Sequence, residues 1–333
     1  MLKVARPCRI RSTGMYLPTP VLSSDLEKKH GLPPGWSEKF NGVEVRHHVS
    51  NENVADLGAE AAQQALDNAG LQLNDIDVFI TAGASTDQII PSQAAMTLNK
   101  MKGGHTANCE AFHINITCLS FMTAFKLAAD MIQFGEINRI LIVAAEISSL
   151  GIGPENWETL TLFGDGAAAV IVEKSKNHRS GLIKYKHQVF TEGLHAAEIP
   201  GGHVNKWIRD YPYDPSIHHF QMDSRQLLRL TLKFLPDFMN EFFESLGTSW
   251  AETDWTVPHQ ASKTGLNMIP KIAKVNPEKV VNILKTTGNC IAASIPMGIH
   301  HLISQDKLKS GETLFMCGTS AGFSIGSLLY RHD

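Results

Sequence analysis

The sequence predicts an α/β protein built from two fused copies of one α/β unit, residues 1–175 and 176–333. Three observations lead there. Apolar runs of strand length alternate with longer segments of helical spacing, the pattern of sheets covered by helices. Gly70 to Asp77 and Gly247 to Asp254 span the same interval, each after a helical segment and before a strand. Cys118 and Cys290 each open a helical stretch followed, at similar distance, by an apolar strand. Two such copies facing each other place equivalent elements around a pseudo-twofold axis.

Bulk numbers agree with a large core. Of 333 residues, 43% are hydrophobic and 19% charged, a globular balance that excludes a disordered chain. A net charge of -3 gives no field toward nucleic acid or an anionic membrane. Five cysteines, an odd number without a C-x-x-C pair, read as reduced thiols in a cytoplasmic protein. No apolar leader and no run of membrane-spanning length is present. His47-His48, His218-His219 and His300-His301 are adjacent pairs that point apart. With no H-E-x-x-H or C-x-x-C frame, no metal is expected.

Taken in order, residues 8–16 form a first strand that ends at Gly14 and the Pro18/Pro20 loop. Residues 21–47 are polar and mixed, with a turn at Pro33-Pro34-Gly35-Trp36; Trp36 is either a packed loop aromatic or part of a ligand mouth. Val54, Leu57, Ala61, Ala65 and Leu66 share one face of a helix over 54–69, which Gly70 ends. Residues 76–82 are a buried strand. Pro91 sits near the first turn of a helix over 91–102. Strand 108–116 runs into a long apolar helix over 118–134, whose polar stripe is Lys126, Asp130 and Gln133. Residues 140–145 and 167–172 are further buried strands. Phe163-Gly164-Asp165-Gly166 between them is a tight turn rather than a phosphate loop, because no helix N-terminus follows. Residues 193–219, rich in turns and carrying Trp207, Tyr211 and Tyr213, form a surface loop or a flap over a pocket. Residues 221–247 are helical, kinked or divided at Pro236.

Chemistry gathers at Cys118. A helix end leaves N–H groups unpartnered and carries partial positive charge, so a thiol there is expected to ionise more easily and act as nucleophile. Cys8, Cys109, Cys290 and Cys317 read as small buried hydrophobes. His259 ends the second copy's first strand, and Asn289 lies at its counterpart of the Cys118 corner. Histidine handles protons and donates a hydrogen bond; the asparagine amide adds a neutral donor. Two donors aimed at one point stabilise an oxyanion.

These residues, in order and together, resemble a thiolase-fold condensing enzyme, closest to the β-ketoacyl-ACP synthase III branch. The motifs are Asn41-Gly42-Val43-Glu44-Val45-Arg46-His47, Ile90-Pro91-Ser92, Thr117-Cys118, Phe163-Gly164-Asp165-Gly166, Val257-Pro258-His259-Gln260-Ala261, Gly288-Asn289 with Ser294-Ile295-Pro296, and Ala321-Gly322-Phe323. The resemblance implies a five-layer αβαβα fold, an acyl group held on Cys118, and decarboxylative condensation with a malonyl-type thioester. It implies an enolate stabilised by His259 and Asn289, and an oxyanion hole from the backbone of Cys118 and Ala321. Acyl-CoA or acyl carrier protein would be the substrates or partners, with no cofactor, in a homodimer. Ile90 matches a position reaching into the neighbour's acyl pocket, Phe163 an acyl-tunnel position, and Trp36 an adenine-stacking tryptophan. Ser262 replaces a common asparagine near the substrate. Three positions where the branch often has arginines gripping the CoA nucleotide or the carrier hold Phe40, Trp157 and Thr264, with Lys39 and Lys263 one residue away. Two alternatives follow. One transfers the acyl group to oxygen or nitrogen without decarboxylation. The other is a non-catalytic subunit paired with an active homologue, against which the intact Cys118, His259 and Asn289 argue.

Overall fold

The computed structural model describes residues 2–176, 179–207 and 209–333. Strand β1 (Arg6–Tyr16) opens the chain. The stretch expected to be irregular is instead ordered as β2 (Thr19–Leu22), α1 (Ser23–His30), α2 (Trp36–Phe40) and β3 (Val45–His48), with β2 and β3 antiparallel. Hydrogen bonds hold it rather than apolar periodicity, which is why its pattern was silent. The buried Glu27 carboxylate accepts from the N–H groups of Gly35 and Ser37, both at 2.8 Å. The buried Arg46 guanidinium donates to Ser23 Oγ at 2.8 Å and to the Thr161 carbonyl at 2.9 Å.

Helix α3 (Val54–Ala69) is closed at its start by a reciprocal Asn53–Asp56 capping box and at its end by a left-handed Gly70. Then come β4 (Val78–Ala82), α4 (Gln93–Lys100), β5 (Glu110–Ile114), α5 (Ser120–Phe134), β6 (Arg139–Glu146), α6 (Trp157–Leu160) and β7 (Gly166–Lys174). Pro91 lies outside α4, which begins two residues later, after Ser92. The second half supplies β8 (Gly181–Val189), β9 (Ala197–Glu198), α7 (Pro215–His218), β10 (Gln221–Met222), α8 (Ser224–Glu244), β11 (Trp255–Pro258), α9 (Lys263–Ala273), α10 (Leu284–Thr287), α11 (Ser294–Ser304), β12 (Thr313–Ser320) and β13 (Ser324–Arg331). Pro236 does not divide α8. Pro236 and Leu232 both face solvent, so water can satisfy the carbonyl that proline leaves unpaired.

The strands follow one rule twice. In the first half the order is β1-β7-β6-β4-β5, with two antiparallel pairings and then two parallel ones. In the second it is β8-β13-β12-β11, antiparallel twice and then parallel, and a parallel bridge from Thr256 to Val280 marks the fifth place. The halves join only at Arg6–Leu182 and Pro7–Gly181. Helix α5 packs on strands of both halves, and α11 on β1, β7 and β11, so these two form the middle layer. Helix α3 covers the outer face of the first half and α8 that of the second. The result is a duplicated, five-layer αβαβα architecture of the thiolase type. The middle core joins Phe121, Phe125, Ile295 and Met297; α3 closes the first outer core, and Phe242, Phe315 and Trp250 fill the other. Gly14 lets α3 approach: a Cβ there would lie 2.2 Å from the Ala61 carbonyl oxygen.

Equivalent residues do equivalent work. The Asp77 carboxylate accepts from the N–H of Arg139 at 2.9 Å, and that of Asp254 from Thr313 at 2.7 Å, each tying one strand start to the next. Among the described residues no helix is long and apolar enough to cross a membrane.

Candidate active site

Cys118 lies in a single 3-10 turn, Thr117–Leu119, between β5 and α5, rather than inside the first turn of the long helix. The turn is built by local hydrogen bonds. Asn115 Oδ1 accepts from the Thr117 N–H at 2.9 Å, and Ser120 Oγ accepts from that of Ile116 at 2.9 Å. Thr117 is thereby held at φ 53°, left-handed and strained for a β-branched residue.

The other half repeats this turn. Asn289 Oδ1 accepts from the Ile291 N–H at 2.9 Å, Ile291 has φ 45°, and Ser294 Oγ accepts from the Cys290 N–H at 3.2 Å. Asn115, Ile116, Thr117 and Cys118 thus correspond to Asn289, Cys290, Ile291 and Ala292. Pairing Cys118 with Cys290 by sequence was two residues out. Cys290 is fully buried, as are Cys8 and Cys317 within a few percent, but Cys109 is only partly buried.

The two turns pack against each other. Behind each stands the last residue of an equivalent strand. Ser320, ending β12, accepts from the Cys118 N–H at 3.1 Å and donates to the Ile116 carbonyl at 2.9 Å; its hydroxyl also meets that of Thr117. Glu146, ending β6, is fully buried and accepts from the N–H groups of Ala84 at 2.8 Å, Ser85 at 2.9 Å and Ala292 at 3.4 Å. Burial raises its pKa, and these donors pull it back. Sequence reasoning missed both residues. Glu146 carried a signal, a lone acid closing the apolar run of β6.

Burial also pushes the Cys118 thiol up to about 11, against the expectation of an easily ionised sulfur. A backbone hydrogen bond from Ala321 lowers it, the Glu146 carboxylate raises it again, and the Ser320 hydroxyl lowers it. Desolvation outweighs the helix end because only one short turn precedes α5.

His259 directly follows β11, where its N–H donates to the Cys317 carbonyl at 2.8 Å. It is 5% exposed, its Nδ1 is buried without a partner, and burial alone brings its pKa down to about 4. The ring is therefore neutral at neutral pH. A Cβ on Gly318 would stand 2.7 Å from His259 Cβ and 3.2 Å from Leu119 Cδ2, so only a glycine separates the imidazole from the Cys118 turn. Asn289 is clamped by its N–H on the Leu162 carbonyl at 2.9 Å and by its carbonyl under the Gly164 N–H at 3.1 Å. Its Oδ1 is engaged by Ile291, which leaves Nδ2 as the free end. Neither His259 Nε2 nor Asn289 Nδ2 bonds to any described residue.

Phe163 is buried beside Asn289 and meets Phe220 edge-on at 5.4 Å. Phe220 ends the aromatic 193–219 segment, whose own Trp207, Tyr211 and Tyr213 are exposed. Ser262 caps α9, its Oγ accepting from the Gly265 N–H at 3.1 Å. Trp36 packs on Phe40 and Trp157. Ile90 is 82% exposed and is not brought to the site within one chain. Asp165 accepts from the N–H groups of Val49, Ser148 and Ser149, so the Gly-Asp-Gly turn is structural.

Residues 112–189 match the family described as 3-Oxoacyl-[acyl-carrier-protein (ACP)] synthase III, and residues 243–332 its C-terminal counterpart. The chain is 33% identical to the β-ketoacyl-[acyl-carrier-protein] synthase III of Neisseria meningitidis serogroup A, covering 97% of this chain and 99% of that one. The crystal structure of 3-oxoacyl-[acyl-carrier-protein] synthase III from Aquifex aeolicus superposes with a TM-score of 0.87 at 26% identity, over 98% of this chain and 100% of the other. The priming β-ketosynthase of the R1128 polyketide pathway shares the fold, with a TM-score of 0.87 at 23% identity, over 100% and 98% of the two chains.

Proposed function

This chain belongs to the β-ketoacyl-[acyl-carrier-protein] synthase III family and is a condensing enzyme; from that premise we propose how its own residues divide a decarboxylative Claisen condensation. Cys118 Sγ attacks the carbonyl of an acyl thioester, whose C–S bond breaks and whose thiol leaves. A malonyl-type thioester follows. Its carboxylate carbon–carbon bond breaks, CO2 departs, and the electron pair passes into an enolate. Hydrogen bonds from His259 Nε2 and Asn289 Nδ2 hold the enolate oxygen. The enolate carbon then bonds to the acyl carbon, and Cys118 leaves as thiolate and is reprotonated.

The observation that carries this reading is the pair of neutral donors without protein partners on the segments flanking the Cys118 turn. A neutral imidazole suits the task, because decarboxylation develops negative charge at a point where a donor, not an acid, is needed. The backbone N–H of Ala321 serves the oxyanion of the acyl-transfer steps. That of Cys118 joins it once Ser320 Oγ releases it. No cofactor is required. The exposed edge of β5 and the projecting Ile89 and Ile90 support a homodimer in which Ile90 enters the partner's acyl site.

Intact-protein mass spectrometry tests the scheme. Incubation with acyl thioesters should add one acyl mass, and Cys118→Ala should abolish it. Absence of any adduct, with or without a homologous partner subunit, would favour the non-catalytic reading.

A further inference from the structure

The surface mouth of the site is formed where the chain leaves its two donor residues. Six residues before Phe163, which bridges to Asn289, stands Trp157 on α6; four after His259 stands Lys263 on α9. Helix α2 closes the third side. We infer, resting on the condensation scheme above, that the acyl donor reaches Cys118 on a pantetheine arm carried by an acidic protein, and that a nucleotide on the arm contributes nothing to recognition.

The space a flat base would need is filled by the protein. The Trp36 and Phe40 rings lie 4.1 Å apart at 35°, and Trp157 meets Trp36 edge-on at 5.4 Å. The trio is locked: Asn41 Nδ2, next to Phe40, donates to the Glu158 carbonyl at 2.9 Å and to Thr161 Oγ1 at 2.7 Å, tying α2 to α6. Inserting a base between these rings would break aromatic contacts on Trp36 before making new ones.

Charge points the same way. A nucleotide phosphate cluster asks for unpaired cations, ideally guanidinium groups. The mouth offers two lysines, and both are engaged. Lys263 Nζ donates to the backbone carbonyls of Glu38 at 2.9 Å and Lys39 at 3.0 Å, while Lys39 Nζ lies 5.1 Å from the centre of the Phe40 ring. Glu38 and Glu158 stand on the same helices, so the local formal charge is zero.

Unpaired cations occur beyond the mouth instead. Arg225 and Arg229 on α8, and Lys271 on α9 with Lys274 at its end, are exposed and form no ion pair among the described residues. Helix α9 carries no acid at all. This face suits an acidic protein surface, whose recognition would replace that of a nucleotide.

The test compares one acyl group on three handles, with the rate of Cys118 acylation read by mass spectrometry: pantetheine, CoA, and holo acyl carrier protein. CoA and pantetheine should agree within about threefold, and the carrier should exceed both by about tenfold or more. Arg225→Glu with Arg229→Glu should lower the carrier-to-pantetheine ratio at least about fivefold. Trp157→Arg, which opens the slot and adds a guanidinium, should raise the CoA-to-pantetheine ratio. A wild-type preference for CoA over pantetheine of about tenfold or more would overturn the inference while leaving the condensation scheme intact. A carrier no better than pantetheine would overturn it equally. Failure of all three handles would instead remove the scheme on which it rests.

Discussion

Alkylation of Cys118 by iodoacetamide should rise about tenfold per pH unit from pH 7 to beyond pH 10, with no plateau in between. The thiol is held near 11 by burial, with Glu146 adding to the rise and the Ala321 and Ser320 groups only partly offsetting it. At pH 8 about one sulfur in a thousand is then ionised, against about one in ten for a cysteine with the ordinary value of 9.0. A more basic thiolate is also more nucleophilic, by a Brønsted factor of roughly 0.4–0.5 per unit, which returns close to tenfold. The net expectation at pH 8 is alkylation roughly tenfold slower than for an equally accessible ordinary cysteine. Cys118→Ser identifies the adduct, since Cys109 is the other cysteine not fully buried. A plateau below pH 8 would mean an ion pair or helix end dominates after all, and the desolvation argument would be refuted.

Asn289→Ala should slow decarboxylation by about 10²–10³ while sparing acylation of Cys118, since only the enolate uses Nδ2; equal loss in both half-reactions would count against the role. His259 is neutral down to about pH 4, so decarboxylation by acylated enzyme should be flat between pH 5.5 and 8. The same depressed pKa makes acid destabilising: its contribution is fully present above about 6.5 and is lost as pH falls toward 4. Urea titrations at pH 7.5 and 5 should therefore show a loss about 2 kcal/mol smaller in His259→Asn than in the parent; equal losses would contradict it. Gly318→Ala puts a Cβ 2.7 Å from that of His259, so the imidazole must shift, and turnover should fall at least about tenfold while the fold survives by circular dichroism.

Much of this was legible where local rules and the global fold agree. Residues 54–69 were readable to the residue because Asn53, the apolar face and Gly70 all serve the same helix. The strands were readable because a strand buried on both faces is written as an unbroken apolar run. The pseudo-twofold was visible in Asp77 and Asp254, which carry the same side chain for the same bond. It was misread at the centre, where matching cysteines were paired although backbone function aligns Asn115 with Asn289. Residue identity is a poor guide when a duplicated turn has kept its hydrogen bonds and exchanged its chemistry. The β2–β3 region stayed closed to sequence reading because Arg46 and Glu27, charged yet buried, hold it through partners distant in the chain.

That exchange of chemistry explains how one fold holds a nucleophile and its donors at once. Each turn needs an acceptor for the amide at the Cys118 position, and each half supplies it from the end of the equivalent strand. Where the amide belongs to Cys118 the acceptor is the neutral Ser320; where it belongs to Ala292 it is Glu146. The assignment is not interchangeable. A carboxylate at Ser320 would sit directly against the sulfur and oppose both its ionisation and the charge of a tetrahedral intermediate. A serine at Glu146 could not bind Ala84, Ser85 and Ala292 together, and the turn bearing Asn289 would lose its anchor to the first half. The charge therefore resides on the side that only positions, and the neutral group on the side that reacts.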